Sequence, residues 1–225
     1  MNRILAIGDV HGDADYIRLA IDKAIASKCV QIIQLGDFGY SPHTDEGKAF
    51  LNRIKDPEIP IFWIDGNHDN HDWLEHDADE PIEIEKGIYY LPRGYRWTIG
   101  DQTLMALGGA ESIDKDSRTV GYNYWLNEGL SYSDIERAIA PGRIDILFCH
   151  DCPTRAEEFA INNRTPNPIG KATRDGLDAV IEQCKPRRVL HGHHHYHYSK
   201  IFGTTRVSGL DCNERPQFSW QVISF

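Results

Sequence analysis

The 225-residue sequence has no long uninterrupted apolar stretch, and its basic residues are outnumbered by acidic ones. No window reaches the roughly 18 uncharged apolar residues of a membrane-spanning helix, so we expect no association with a membrane. The 24 lysines and arginines against 34 aspartates and glutamates give a net charge of −10. Such a chain lacks the general basic field of an extended nucleic-acid surface, although a bound metal ion can attract a phosphate group locally.

Cysteine is also scarce, and its five positions are odd in number and scattered along the chain. They do not form the even-numbered, closely spaced set of cysteines whose disulfide bonds stabilise small secreted domains. The first residues lack the basic region, apolar run and small-residue cleavage site of a signal peptide. We therefore predict reduced thiols and a cytoplasmic location. Cys149 and Cys152 form a C-x-x-C pair without a second such pair, and Cys149 is expected to end a buried strand.

Apolar strands alternate with helical stretches, and no linker, repeat or low-complexity tract divides the chain. This alternation favours an α/β fold, organised as one domain over residues 1–225. We expect a helix over residues 13–27 with Asp13 as its N-cap, and a later helix that begins at the N-cap Ser131. Short antiparallel strands are expected within residues 82–107.

Five of the expected strands run directly into side chains of the kinds that bind metals. These side chains are Asp9 and His11, Asp37, the run Asp65-Gly66-Asn67-His68-Asp69, His150, and the histidines of residues 191–195. Ligands bind outside the carboxyl ends of strands in open α/β sheets, so all five groups could meet on one rim. Each residue alone could be a cap or a turn, but five coincidences favour a shared site. Mixed carboxylate, amide and imidazole ligands suit Mn, Fe or Zn.

The order and spacing of these motifs resemble those of the calcineurin-like metallophosphoesterases. The resemblance covers residues 9–195 and rests on Gly8-Asp9-Val10-His11-Gly12, Gly36-Asp37, Gly66-Asn67-His68-Asp69, His150 and Gly192-His193-His194-His195. It implies two mixed β-sheets packed as a sandwich and flanked by helices, in four αββα layers. It also implies two divalent metal ions, with Mn favoured and Fe, Zn or a mixed pair as alternatives.

The resemblance further implies a role for each matching residue. One ion would bind Asp9, His11 and His195, the other would bind Asn67, His150 and His193, and Asp37 would bridge them. His68 would stabilise the transition state and protonate the leaving group, and Asp69 would hold the His68 ring in place. A hydroxide shared by the two ions would attack the phosphorus in line.

The second motif departs from the pattern of many relatives. It reads Gly36-Asp37-Phe38-Gly39-Tyr40, so Tyr40 stands where a second aspartate is common, and no Arg-Gly pair follows. This departure weakens an interpretation as a serine/threonine protein phosphatase. We expect a phosphodiesterase acting on cyclic nucleotides or similar small phosphodiesters, with a nucleotide or phosphoprotein monoesterase as the alternative. A metal-binding scaffold without activity is a more distant alternative.

The loop of residues 108–129 could lie over the site, with Arg118 or Tyr124 in contact with the substrate. Alternatively, its aromatic side chains could pack against the core. We expect a small phosphoester as the partner, and the sequence indicates no oligomeric state.

Other histidines also need an interpretation. Residues 191, 193, 195 and 197 alternate, so an extended strand would place these four on one side and His194 on the other. His191 and His197 are expected to be structural or to support the ligands. His71 and His76 are predicted to be surface residues.

Overall fold

The computed structural model describes residues 2–162 and 164–225. Its strands are β1 Arg3–Ile7, β2 Gln31–Gln34, β3 Ile61–Trp63, β4 Ile82–Glu85, β5 Ile88–Tyr90, β6 Arg96–Ile99, β7 Gln102–Leu107, β8 Ile146–Cys149, β9 Arg188–His191, β10 Tyr198–Phe202, β11 Thr205–Gly209 and β12 Trp220–Ser224. Its α-helices are α1 Ala14–Ala26, α2 Asp45–Ile54, α3 Tyr132–Ile139, α4 Glu157–Ala160 and α5 Lys171–Cys184.

The strands form two six-stranded sheets that share one plan. The first has the order β12-β1-β2-β3-β5-β4 and the second the order β10-β11-β9-β8-β7-β6. In each sheet four neighbouring strands run parallel, and an antiparallel strand closes either edge. Both sheets are therefore mixed, as the sequence predicted.

Successive residues of the central strands point into different layers, because side chains alternate across a strand. Leu5 and Ile7 of β1 pack with α1 and α2, whereas Ile4 of the same strand lies between the two sheets with Phe148 of β8. On the far side of the second sheet, Leu147 packs with residues of α3 and α5. The molecule thus has the expected four αββα layers, and the strands are apolar on both faces because both faces are covered.

Local sequence signals set the ends of two helices. The Asp13 carboxylate accepts hydrogen bonds from the N–H groups of Asp15 and Tyr16, and α1 follows directly. Ser131 and Asp134 form a reciprocal capping box at the start of α3. Both predicted N-caps are confirmed, because each side chain satisfies N–H groups that have no partner within the helix.

Two observations bear on the predictions from composition. Cys149 ends β8 and, like the other four cysteines, is a buried free thiol. Among residues 2–162 and 164–225, no helix combines the length and the apolar character needed to cross a bilayer.

Candidate metal centre

The carboxyl ends of the parallel strands bring the predicted ligands together between the two sheets. One group consists of Asp9, His11, Asp37 and His195, and a second consists of Asp37, His150 and His193. Within each group the potential ligand atoms all lie within 4.8 Å of one another. Asp37 belongs to both groups, which is the arrangement required of a bridging ligand. We call these the outer cluster and the inner cluster, and we place Asn67 with the inner one.

The outer cluster is partly open to solvent. Asp9 is buried, and its Oδ2 lies 2.9 Å from His195 Nε2 and 4.0 Å from His11 Nε2. The two imidazole Nε2 atoms lie 3.0 Å apart. The side chains of His11 and His195 are 29% and 40% exposed, respectively. Three potential ligand atoms therefore converge at a position that water can reach.

The inner cluster is largely buried and contains a polar atom without a hydrogen bond. His150 Nδ1 donates to the Leu35 carbonyl at 2.6 Å, and this contact turns Nε2 toward Asp37 Oδ1 at 3.3 Å. Asn67 Nδ2 donates to Ser112 Oγ at 3.3 Å, and this contact directs the amide oxygen into the site. Asn67 Oδ1 has no hydrogen-bond partner among the described residues, whereas His150 Nε2 faces the Asp37 carboxylate. Leaving the buried amide oxygen unpaired is costly, and a cation bound beside it would satisfy it, so these residues fit a divalent ion.

The backbone around the site is strained. Of the eight described non-glycine residues with positive φ, four are predicted ligands: His11, Asp37, His193 and His195. Left-handed backbone at a non-glycine residue costs on the order of 1–3 kcal/mol and concentrates at functional sites. The glycines beside these ligands permit close approach: a Cβ on Gly36 would collide with the His150 ring.

His193 and His195 have positive φ, so residues 191–197 do not form the extended strand considered from the sequence. The chain turns sharply after β9 ends at His191, so the alternation of these histidines does not reflect an extended segment. His194, predicted to lie on the side opposite the other histidines, directs its ring to the buried Asp151 carboxylate, 2.9 Å away. His191 is buried, and its Nε2 lies 2.6 Å from Tyr198 Oη, whereas the His197 ring stacks on Phe218.

Asp69 is buried. Contrary to the prediction, its carboxylate does not contact the His68 ring. Its Oδ1 accepts from the N–H groups of Gly39 and Tyr40, and its Oδ2 accepts from those of Phe38 and Gly66. Both carboxylate oxygens are therefore occupied by backbone. Asp69 ties the loop after β2 to the loop after β3, and the proposed orientation of His68 by Asp69 was wrong.

His68 lies at the edge of the outer cluster, with its ring 5.4 Å from that of His11, centroid to centroid. Arg118 Nη2 lies 3.2 Å from His68 Nε2, while Arg118 Nε pairs with Asp114 at 2.7 Å. Desolvation by the surrounding loops lowers the pKa of His68; Asp37 opposes this effect and Arg118 reinforces it. The structure thus brings two of the predicted functional residues, His68 and Arg118, into contact.

Tyr124 lies in a cavity apart from the two clusters. It lines this cavity of about 890 Å³ together with Lys115 and Trp125, and none of the predicted metal ligands is among the described residues of that lining. Trp125 is buried, and its Nε1 donates to Asp72, whereas Tyr122 is exposed. The loop of residues 108–129 therefore divides: Arg118 faces the site, and Trp125 packs into the protein.

A buried polar group lies behind the inner cluster, and no sequence motif indicated it. His71 and His76 are not surface residues; both belong to a cluster with Asp65, and Arg93 donates two hydrogen bonds to the Asp65 carboxylate. Burial lowers the pKa of His71 to about 3 and also lowers that of His76. Burial opposes ionisation of Asp65, but Arg93 holds its pKa below the usual range. Of this group the sequence indicated only Asp65, which lies two residues after the end of β3.

Comparisons with known proteins show the family and the fold of the chain. The chain is 28% identical over 162 residues to a Fibrobacter succinogenes protein named "Probable cyclic nucleotide phosphodiesterase", with 67% of this chain and 57% of that protein aligned. The chain thus spans little more than half the length of this curated relative.

Solved structures show the same fold at low identity. A dimetal phosphatase from Danio rerio superposes with a TM-score of 0.64 at 13% identity, over 98% of this chain and 91% of that one. The protein TT1561 of Thermus thermophilus superposes with a TM-score of 0.57 at 11% identity, over 99% and 98%. The sequence profile of the calcineurin-like phosphoesterases matches residues 2–197, and the chain belongs to this family of enzymes that act on phosphoesters.

Proposed function

We propose that the chain hydrolyses small phosphodiesters, cyclic nucleotides among them, at a centre that holds two divalent metal ions. The observation that carries this proposal is the position of Asp37 in both ligand clusters. The family supports action on phosphoesters, and the name of the Fibrobacter relative supports the diester class.

The residues present suit such a pair of ions. Asp9, His11 and His195 would hold one ion, Asn67, His150 and His193 would hold the other, and Asp37 would lie between them. Two bound ions would supply an activated water nucleophile and neutralise charge on the phosphoryl group. Oxygen and imidazole donors accept Mn, with Fe, Zn or a mixed pair as alternatives.

Arg118 and His68 would act on the substrate rather than on the ions. With Asp114 holding Nε, Arg118 presents Nη2 to His68 Nε2, so in this arrangement the neutral imidazole carries its proton on Nδ1. A phosphoryl oxygen beside His68 would accept the Nη2 hydrogen bond in place of the ring. His68 Nε2 would then be free to take a proton from water and pass it to the leaving oxygen, which is the role of a general acid.

Arg118 is paired with Asp114 and so adds no net charge beside His68. The preference for a diester therefore rests on the name of the Fibrobacter relative. The alternative is monoester hydrolysis, and the test must distinguish it from diester hydrolysis.

The test is a substrate panel with metal-free protein and with added Mn²⁺. It comprises 2′,3′- and 3′,5′-cyclic nucleotides, a bis-aryl phosphate, mononucleotides and a phosphopeptide. We expect Mn²⁺-dependent turnover with the highest kcat/KM for a diester. Arg118→Ala should raise KM for that diester, and Arg53→Ala, which removes an exposed arginine paired with Asp15, should leave KM unchanged. A higher kcat/KM for the monoesters would show that the substrates are monoesters rather than diesters. Absence of metal-dependent hydrolysis of every substrate would contradict the proposal that the chain is a hydrolase.

A further inference from the structure

A chain of hydrogen-bonding groups begins at Asp65, directly before the turn that carries the inner ligand Asn67. The Asp65 carboxylate is buried; its Oδ2 accepts from Arg93 Nε at 3.0 Å and from Arg93 Nη2 at 2.6 Å. Its Oδ1 lies 2.9 Å from the Tyr90 hydroxyl. Tyr90 is itself fully buried at the end of β5, so its hydroxyl depends on partners within the protein.

From Tyr90 the contacts pass through two imidazoles and return to the backbone. The Tyr90 hydroxyl lies 2.9 Å from His76 Nδ1, and His76 Nε2 lies 3.1 Å from His71 Nδ1. His71 Nε2 lies 2.9 Å from the carbonyl oxygen of Gly66. The chain therefore leaves the backbone at residue 65 and rejoins it at residue 66, which makes a closed ring. We call it the Asp65–Gly66 ring.

The two ends of the ring fix where the protons lie. A carbonyl oxygen can only accept, so His71 must carry its proton on Nε2 to bind Gly66. A neutral His71 then accepts at Nδ1, and His76 must donate to it from Nε2. The Tyr90 hydroxyl donates its one proton to Asp65 Oδ1, which can only accept. The three protons therefore occupy three of the four contacts, and the contact between the Tyr90 oxygen and His76 Nδ1 carries none.

Gly66 is held at both of its polar groups. Its N–H donates to Asp69 Oδ2 at 2.9 Å, and its carbonyl faces His71. The carbonyl belongs to the peptide plane that leads into Asn67, whose amide oxygen points into the inner cluster. His68 follows on the same turn, and its N–H donates to the bridging Asp37 at 2.9 Å. Rotation of this one peptide plane would re-aim an inner ligand and the proposed acid together.

We propose that His71 is a positioning residue that holds the peptide plane before Asn67, and that His76 keeps it in the Nε2–H tautomer. The inference rests on the proposed function in that Asn67 binds an ion. Supports behind metal ligands typically contribute about 10- to 100-fold to metal affinity or activity. The ring belongs to this class of support but acts through the backbone instead of through a ligand's own side chain.

The experiment uses the full chain and three variants of the ring. His71→Ala should weaken binding of one of two Mn²⁺ ions by about tenfold in calorimetry and lower kcat with little change in KM. His71→Gln should restore part of both, because its amide N–H can reach the Gly66 carbonyl. His76→Ala should give a smaller loss in the same direction, and Tyr89→Phe, which removes a hydroxyl outside the ring, should give none.

Nitrogen-15 NMR of the imidazoles provides a readout that depends on neither metal nor substrate. We expect the His71 ring to be protonated at Nε2 and unprotonated at Nδ1, with the Nδ1–H tautomer becoming populated in His76→Ala. A His71 ring protonated at Nδ1 alone would overturn the inference, as would a folded His71→Ala protein with unchanged Mn²⁺ affinity and kcat. Should His71→Ala fail to fold, His76→Ala decides by the same criteria. Wild-type protein that binds no Mn²⁺ contradicts the proposed function, and the tautomer measurement then decides the inference separately.

Discussion

The outer and inner clusters share Asp37 but differ in their surroundings. The outer cluster presents His11 and His195 to solvent, and its atoms satisfy one another at about hydrogen-bond distance. The inner cluster is more buried, although its His193 is partly exposed, and Asn67 Oδ1 has no hydrogen-bond partner among the described residues. Buried polar atoms without partners cost more than exposed ones, so the inner cluster gains more from a bound ion. We infer that the inner ion binds first and more tightly.

The largest effect should follow from removing the residue that both clusters share. Asp37→Ala takes a ligand from each ion, and two-ion centres contribute several kcal/mol to transition-state stabilisation. We expect loss of both ions by elemental analysis and a fall in kcat of about 1000-fold or more. Retention of one ion at full affinity would show that Asp37 is not shared.

His68→Ala should separate chemistry from metal binding. The variant should keep both ions, because His68 lies beside the outer cluster and belongs to neither, and should lose about 100-fold or more in kcat, as expected for a general acid. Metal content and turnover of the same preparation provide the check. If His68→Ala lost an ion, the assignment of His68 outside the ligand set would be wrong.

A matched pair of histidine variants tests the inequality of the clusters directly. His150→Ala removes the buried inner ligand and should leave protein that binds one ion weakly. His11→Ala removes an exposed outer ligand and should leave the inner ion in place during dialysis against a mild chelator. Elemental analysis after dialysis measures the difference, and equal losses in the two variants would contradict it.

The smallest expected effect is the dependence of metal binding on pH. In the metal-free chain, a hydrogen bond to Asp9 raises the pKa of His195 to about 10. Burial lowers the pKa of His150, but Asp37 outweighs it and raises the value to about 10. Both rings are therefore protonated at neutral pH and must lose a proton to bind a metal, so Mn²⁺ affinity should rise with pH by about tenfold per unit for each ion. Calorimetry in buffers of different ionisation enthalpy should detect about one proton released per ion, and binding without proton release would contradict the protonated state of His150 and His195.

Much of the site could be predicted because its residues directly follow strands. Asp9, Asp37 and His150 each stand within three residues of a buried parallel strand, and the sheet brings such positions to one edge. The fold followed from the motifs and from the apolar strands, whose continuous hydrophobicity reflects covering on both faces.

Other features depend on contacts between distant segments, which no local pattern encodes. His71 begins a short 3₁₀ helix and His76 follows it, and both are buried because Trp125 and Tyr90 from later parts of the chain pack against them. The turn at residues 192–195 adopts positive φ, which alternation in the sequence could not indicate. Asp69 binds four backbone N–H groups, three of them on residues 38–40, and that pairing requires the folded loops.

The most direct measurement is a titration of metal-free protein with Mn²⁺, followed by electron paramagnetic resonance. Two unequal clusters that share Asp37 predict that the first equivalent gives the signal of an isolated ion. The second equivalent should convert it to an exchange-coupled signal, and Asp37→Ala should abolish the coupling. Two equivalents that bind with equal affinity and give only uncoupled signals would contradict a shared, unequal metal centre.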